Sequence, residues 1–289
     1  MVNQPARFAW YEILTTDVAA ASAFYGKVVG WDAKDASTPG LTYAVFSAGE
    51  VPVGGLMELP EEGRRLGATP RWMGYVAVDD MDATATQIRR RGGAILLPPT
   101  DSNIGRVSVV ADPHKATFAL VSGLTHGQRQ PGGLDELGRV GWHELLAEDR
   151  NRIFDFYGDL FGWQKAASET ETAHLYQLFS AGGQTIGGML TKMPSVQQPC
   201  WLYYFNVDDI DEAARRVNAG GGRTLQGPIE LSDNCWIARC VDPQGALFAL
   251  QGAQGPKGTE RPSAPEVAWS AKWGGFASHG RMVLPKPKR

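Results

Sequence analysis

Two segments place a tryptophan and a glutamate two residues apart inside an apolar run: "RFAWYEILTTD" at 7–17 and "RVGWHELLAED" at 139–149. An indole offers a broad apolar face with one N–H donor, suited to stacking a planar ligand. A carboxylate beside it can accept hydrogen bonds, pair with a ligand cation or, with a raised pKa, move protons. Trp10 with Glu12, and Trp142 with Glu144, are therefore candidate ligand-binding and catalytic residues. Trp72 and Trp201 recur in the same way and are expected to add a second wall. The competing reading is that strand tryptophans are core and that the glutamates bond to backbone at a sheet edge.

Other chemistry-bearing residues carry less. His143 lies next to Trp142 but, with side chains alternating along a strand, points to the opposite face. It is read as a packed histidine unless a bulge shifts the parity. Glu58 has Thr191 as its counterpart and reads as a solvated strand end. His114 reads as an exposed turn residue, and Arg89–Arg91 as a solvated helix-end cluster. The glycine pairs 54–55 and 187–188 lack the Gly-Lys-Ser/Thr of a phosphate loop and are expected to allow a bulge or a close backbone approach to a ligand. Three cysteines (Cys200, Cys235, Cys240) have neither disulfide nor zinc spacing and point to a reducing, cytoplasmic setting.

The paired segments belong to a longer repeat. Trp10, Glu12, Phe24, Tyr25, Gly30 and Trp31 recur 132 residues on as Trp142, Glu144, Phe156, Tyr157, Gly162 and Trp163. "TYAVFSAG" matches "LYQLFSAG", "YVAVDDMDA" matches "YFNVDDIDE", and "ADPHKATFAL" matches "VDPQGALFAL". The chain is thus a duplication of residues 6–123 and 138–253, joined by a Gly-rich polar linker at 124–137. Within the first copy, an alternating strand leads to Asp17 as N-cap. A helix follows with Val18, Ala21, Phe24, Tyr25 and Val28 on one face and Gly30 as its stop. Strands "TYAVFSA" and "VPVGGLMEL" come next. A second unit repeats the order, from "WMGYVAV" through helix "MDATATQIRRR" to "AILLPP", "RVSVVA" and "ATFALV". The pattern is β-α-β-β-β, twice per domain and four times in all.

These motifs, with "FYGKVVGW", "FYGDLFGW", "GGLM" and "GGML", resemble the vicinal oxygen chelate superfamily of glyoxalases, bleomycin resistance proteins and extradiol dioxygenases. The resemblance covers residues 6–253 and is greatest to a two-domain glyoxalase-like subgroup that includes a mycobacterial culture-filtrate antigen. It implies an α+β fold of tandem domains, each with paired units curving one sheet into an open cup that binds ligands. Metal-using members carry a histidine on the first strand and a glutamate on the last. Counted by that resemblance, the ligand positions fall on Trp10 and Trp142, near Met73 and Leu202, and on Ala119 and Ala249. A divalent site wants converging imidazole and carboxylate groups, so no cofactor is expected, with a divalent metal kept as the alternative. Met57, Ala119 and Ala249 are instead expected to line the cups.

Composition sets the remaining bounds. The chain has 289 residues, 43% hydrophobic, with a net charge of −3. That suits two globular domains and gives no reason to expect nucleic acid as a partner. No apolar run is long enough to span a bilayer, and the N-terminus does not read as a signal peptide. Residues 254–289 hold seven basic and two acidic side chains, so this segment is +5 and the remainder −8. With Trp269, Trp273 and Phe276, it is expected to drape over an acidic body. The assembly is expected to be a monomer with a pseudo-twofold domain pair, or a homodimer, binding a small molecule. Two function classes stay open. One is a metal-free binding protein with an aromatic- and glutamate-lined cup for a planar, cationic or carbonyl-containing molecule. The other is a lyase, isomerase or hydrolase, or a metal-dependent enzyme of glyoxalase or dioxygenase type, using Glu12 or Glu144.

Overall fold

Each of the four helices that follow a first strand is started by an aspartate that the repeat had marked. The N-caps are Asp17, Asp80, Asp149 and Asp209, whose side chains accept from backbone N–H groups two or three residues on. Gly30 and Gly162 end two of these helices in the left-handed conformation, at φ 87° and 69°. The computed structural model describes residues 5–65, 67–125, 133–167, 176–192, 196–232 and 234–255. Residues 256–289, the basic extension, lie outside this range.

The first domain runs β1 (Phe8–Thr15), α1 (Val18–Val29), β2 (Asp32–Asp35), β3 (Tyr43–Ala48) and β4 (Val51–Glu58). A short α2 (Glu61–Arg65) leads to the second unit: β5 (Arg71–Ala77), α3 (Met81–Arg90), β6 (Ala94–Ser102), β7 (Gly105–Ala111) and β8 (Thr117–Ser122). The second domain repeats the order: β9 (Val140–Ala147), α4 (Arg150–Phe161), β10 (Gln164–Lys165), β11 (Tyr176–Ala181) and β12 (Gln184–Thr191). Its last unit is β13 (Cys200–Val207), α5 (Ile210–Ala219), β14 (Arg223–Ser232), β15 (Cys235–Val241) and β16 (Leu247–Gly252). The expected four β-α-β-β-β units are all present. Each pair of units forms one eight-stranded sheet, ordered β2-β3-β4-β1-β5-β8-β7-β6 and β10-β11-β12-β9-β13-β16-β15-β14.

Each sheet has a helix-bearing face, and these two faces meet. Helix α1 packs on α5, and α3 on α4. The residues that recur most plainly in the sequence build this contact in reciprocal pairs. Trp31 Nε1 donates to Gly138 O and Trp163 Nε1 to Ala6 O, each at 2.7 Å. Tyr25 OH donates to Asp242 Oδ2 and Tyr157 OH to Asp112 Oδ2, each at 3.0 Å and each across the interface. Both aspartates also hold their own Asp-Pro turns by accepting backbone N–H groups. The Phe-Tyr-Gly and Asp-Pro motifs of one domain are thus completed by the other.

Both first strands contain a bulge just before the tryptophan. Pairing shifts between Phe8 and Trp10 against β5, and between Tyr204 and Phe205 opposite Trp142 and Val140. Phe8 therefore turns to the interface, 4.5 Å from the His143 ring, while Trp10 lies in a separate cluster with Tyr43, Met73, Tyr75 and Ala119. Because the irregularity precedes Trp142, His143 keeps the parity opposite to it.

Candidate functional site

The face of each sheet turned away from the partner domain carries the Trp-x-Glu pair. In the first domain Glu12 lies opposite Met73 on β5 and Gly55 on β4. The residue is 3% exposed, and its carboxylate accepts three hydrogen bonds. Tyr43 OH donates to Oε1 at 2.6 Å, Trp10 Nε1 donates to Oε1 at 3.3 Å, and Tyr75 OH donates to Oε2. Burial raises the Glu12 pKa above the ordinary carboxylate range, and the three donors only partly offset it. Burial, together with the carboxylate itself, also holds the Tyr75 phenol far above its usual value.

The second cup repeats this plan with one addition. Tyr176 OH donates to Glu144 Oε1 at 3.1 Å, and Tyr204 OH to Oε2 at 2.9 Å. Trp142 Nε1 donates to Tyr176 OH at 2.9 Å. Arg239 on β15 then supplies a cation, with Nη2 2.7 Å from Glu144 Oε2. It also donates to Tyr204 OH at 3.2 Å and to Gln226 Oε1 at 3.0 Å. Burial alone would lower the Arg239 pKa; the charge of Glu144, together with Tyr204 and Tyr176, more than offsets this and holds it above its usual value. The equivalent residue in the first domain is Val109, since both sit opposite the matched alanines Ala119 and Ala249. The two cups therefore hold the same carboxylate in different electrostatic surroundings.

They differ in access too. Trp10 is 1% exposed, and Ile104 from the β6–β7 turn belongs to the same packed cluster. Trp142 is only half-buried, and the residue equivalent to Ile104 is the exposed Asn234.

The second glycine of each Gly-Gly pair is explained by the tyrosines. A Cβ on Gly55 would lie 2.1 Å from Tyr43 OH, and one on Gly188 would lie 2.1 Å from the Tyr176 ring. The close approach anticipated for a ligand is made instead by the side chain that reaches over the glycine to the carboxylate.

Of the residues singled out in the sequence, Trp10, Glu12, Met57 and Ala119 come together in the first cup, and Trp142, Glu144 and Ala249 in the second. Trp72 and Trp201 do not join them. Trp72 pairs with Ile13 and Trp201 with Leu145, so both point to the helix-bearing face. There they donate to Tyr25 OH at 2.8 Å and Tyr157 OH at 3.1 Å, completing the inter-domain relays to Asp242 and Asp112. The expected second wall is core. Its place is taken by the tyrosine pairs 43/75 and 176/204, which stand at matched positions of the repeated motifs. Arg239 had no such signal, because its counterpart is a valine.

His143 is buried at the interface. Its Nδ1–H donates to Ile186 O at 2.6 Å, so Nε2 accepts from Tyr11 OH, also at 2.6 Å. Burial lowers its pKa to about 4. Glu58 is exposed beside Arg64, and His114 is half-buried in its turn.

A cavity of about 1360 Å³ opens between the domains, away from both carboxylates, lined in part by Arg7, Gln87, Arg139 and Gln184. Its arginines are already engaged: Arg7 with Gln184 and Ala181 O, and Arg139 with Glu136. The cups, where carboxylate, hydroxyls and indole converge, are the better candidates for chemistry.

The positions where metal-using relatives would carry ligands do converge. Trp10, Met73 and Ala119 share one cluster, and Leu202 and Ala249 share another with Trp142 packed against it. An indole, a thioether, an isobutyl group and methyls do not form a donor set for a divalent cation. Among the described residues, no three His, Cys, Asp or Glu side chains come together to hold an ion.

Two eight-stranded sheets, each built from two β-α-β-β-β units with a polar cluster on one face, define a tandem cup-forming α+β protein. The chain belongs to the Glyoxalase/Bleomycin resistance protein/Dioxygenase superfamily, whose family model matches residues 7–120 and 139–250. It is 33% identical over 247 residues to proteins of Mycobacterium bovis and Mycobacterium tuberculosis named "Putative glyoxylase CFP32", covering 83% of this chain and 92% of theirs. One domain's length is 34% identical to the anthracycline biosynthesis protein DnrV of Streptomyces peucetius, over 40% of this chain and 42% of that one. Among solved structures, the Mn(II)-bound glyoxalase from Novosphingobium aromaticivorans shares the fold at a TM-score of 0.59 and 17% identity, covering 86% of this chain and 82% of that one. Homoprotocatechuate 2,3-dioxygenase from Brevibacterium fuscum does so at 0.61 and 16%, covering 87% and 82%.

Proposed function

We propose that this chain binds a small planar molecule in its cups without a divalent metal, as a glyoxalase- and bleomycin-resistance-like protein of the cytoplasm. The observation that carries this is the repeated buried carboxylate, set at one register in both domains beneath an indole and two phenols. Such a cluster presents a flat apolar surface and directed hydrogen-bonding groups side by side. The half-buried Trp142 makes the second cup the more accessible of the two. Stacking on its indole would contribute ~0.5–1.5 kcal/mol beyond area burial.

A second reading is favoured by Glu12. A carboxyl group whose pKa burial raises is suited to move a proton at a bound carbonyl compound, as a lyase or isomerase requires.

Tryptophan fluorescence titrations with planar, cationic and α-oxo compounds test both readings. Binding that weakens in Trp142→Phe and Glu144→Gln, or in Trp10→Phe and Glu12→Gln, is the expected result. Turnover that vanishes in Glu12→Gln while binding persists would favour the enzyme. A ligand whose affinity none of the four substitutions changes would overturn the cup assignment. Elemental analysis after growth with zinc, manganese, nickel or iron tests the metal-free part. One tightly held ion per domain, lost on mutating a cup residue, would overturn it.

A further inference from the structure

On the cup face of the first domain, one row of residues crosses three strands in register: Met57 on β4, Leu14 on β1 and Arg71 on β5. Arg71 lies two residues from Met73, which faces Glu12, so the row sits roughly 7 Å along the sheet from the carboxylate. Met57 and Leu14 are partly buried and packed on the cup cluster. Arg71 is half-buried as well, and its Nε is fully enclosed with no hydrogen-bond partner. No ion pair or side-chain hydrogen bond reaches this guanidinium from the described residues.

An enclosed Nε–H without a partner is costly, because a buried donor that loses water needs an acceptor in return. Burial lowers the Arg71 pKa, and no carboxylate counters it. The matched row in the second domain is Leu190, Leu146 and Cys200, which is free of charge. There the cup arginine, Arg239, is already paired with Glu144. The first cup thus carries an unmet positive charge beside an apolar shelf, and the second does not.

We propose that the first-domain cup takes a small carboxylate, its charged end on Arg71 and its apolar body over Leu14 and Met57. This rests on the cups being ligand sites and adds the class of ligand that one of them selects. A carboxylate matches the planar guanidinium and would pair with its terminal N–H groups, since Nε is closed to solvent.

The test uses a matched pair of probes, 2-naphthoate and its neutral amide, titrated calorimetrically at pH 7 into the full chain and into Arg71→Met. Wild type should bind the carboxylate at least about tenfold more tightly than the amide. In Arg71→Met that preference should vanish while amide affinity stays the same. Without ligand, Arg71→Met should melt about 2–4 °C higher, since an unsatisfied buried donor is removed while the apolar stem is kept. Equal binding of the two probes to wild type, or a preference that survives the substitution, overturns the carboxylate assignment and leaves the cup reading standing. Failure of both probes to bind overturns both. A lower melting temperature in Arg71→Met would show the arginine to be a packing element and would also overturn the assignment.

Discussion

Replacing Arg239 with methionine is expected to destabilise the protein by about 3–5 kcal/mol, the usual effect of leaving a buried charge without its partner. Glu144 has a side chain only 4% exposed, and Arg239 is its one ion-pair partner among the described residues. Methionine keeps much of the stem's packing but removes the donors to Glu144, Tyr204 and Gln226. The opposite truncation, Glu144→Gln, should cost less, because Arg239 keeps two neutral acceptors and is 28% exposed. Combining the two should recover most of the loss, since the pair then disappears as a unit. Glu12→Gln provides the contrast. Its carboxyl has a raised pKa, so its contribution to stability is present below the ordinary carboxylate range and is lost as pH rises through the raised value. Removing the ionisable group should leave stability at neutral pH unchanged or improved. Urea unfolding of the four variants checks this. A loss under about 1 kcal/mol in Arg239→Met would mean that the pair is screened like a surface ion pair.

Acid should separate the behaviour of the inter-domain contact from that of the cups. His143 has a folded pKa of about 4 against an ordinary value of 6.5, because burial disfavours the imidazolium. A histidine held neutral contributes stability that is fully present above its unfolded pKa and lost as pH falls through the folded one. The window therefore runs from roughly pH 6.5 down to 4, and the shift corresponds to about 3 kcal/mol across it. Protonation would force a second proton onto a ring already using Nδ1–H on Ile186 O and stacked on Phe8. The check is the pH dependence of unfolding free energy in wild type minus that in His143→Gln, where the other titrating groups cancel to first order. A difference that stays flat between pH 6.5 and 4 would remove His143 as the acid-sensitive element.

Much of this architecture was legible in the chain. Hydrophobic alternation, four capping aspartates and glycine stops are local signals, and each depends on a few neighbouring residues. The internal repeat then tied them together. A recurrence at nearly constant spacing means that each unit needs the same partners, which is how four units were recognised. Parity along one strand placed Trp10 with Glu12, and Trp142 with Glu144, on a common face. The resemblance placed ligand positions on residues that do converge, and their side chains are apolar in both domains.

Parity within a strand does not carry from one strand to the next, and there the sequence alone went astray. Trp72 lies opposite Ile13 rather than Glu12, and this one-residue difference sends it to the other face of the sheet. Pairing register is decided by contacts between segments about 60 residues apart, and no local pattern encodes it. The same holds for the bulges at Ala9 and Gly141, which turn Phe8 and Val140 away from the cup. Arg239 and Arg71 were invisible for a different reason. Each stands where the other domain has a neutral residue, so the repeat that marked the glutamates gave no sign of these charges. By itself the sequence determined the four units, their caps and the face bearing the tryptophan–glutamate pairs. Only the tertiary structure decided which aromatics seal the two domains together and which guanidinium has a carboxylate to meet. The cause is physical: burial and charge pairing are properties of neighbours brought together across strands and domains.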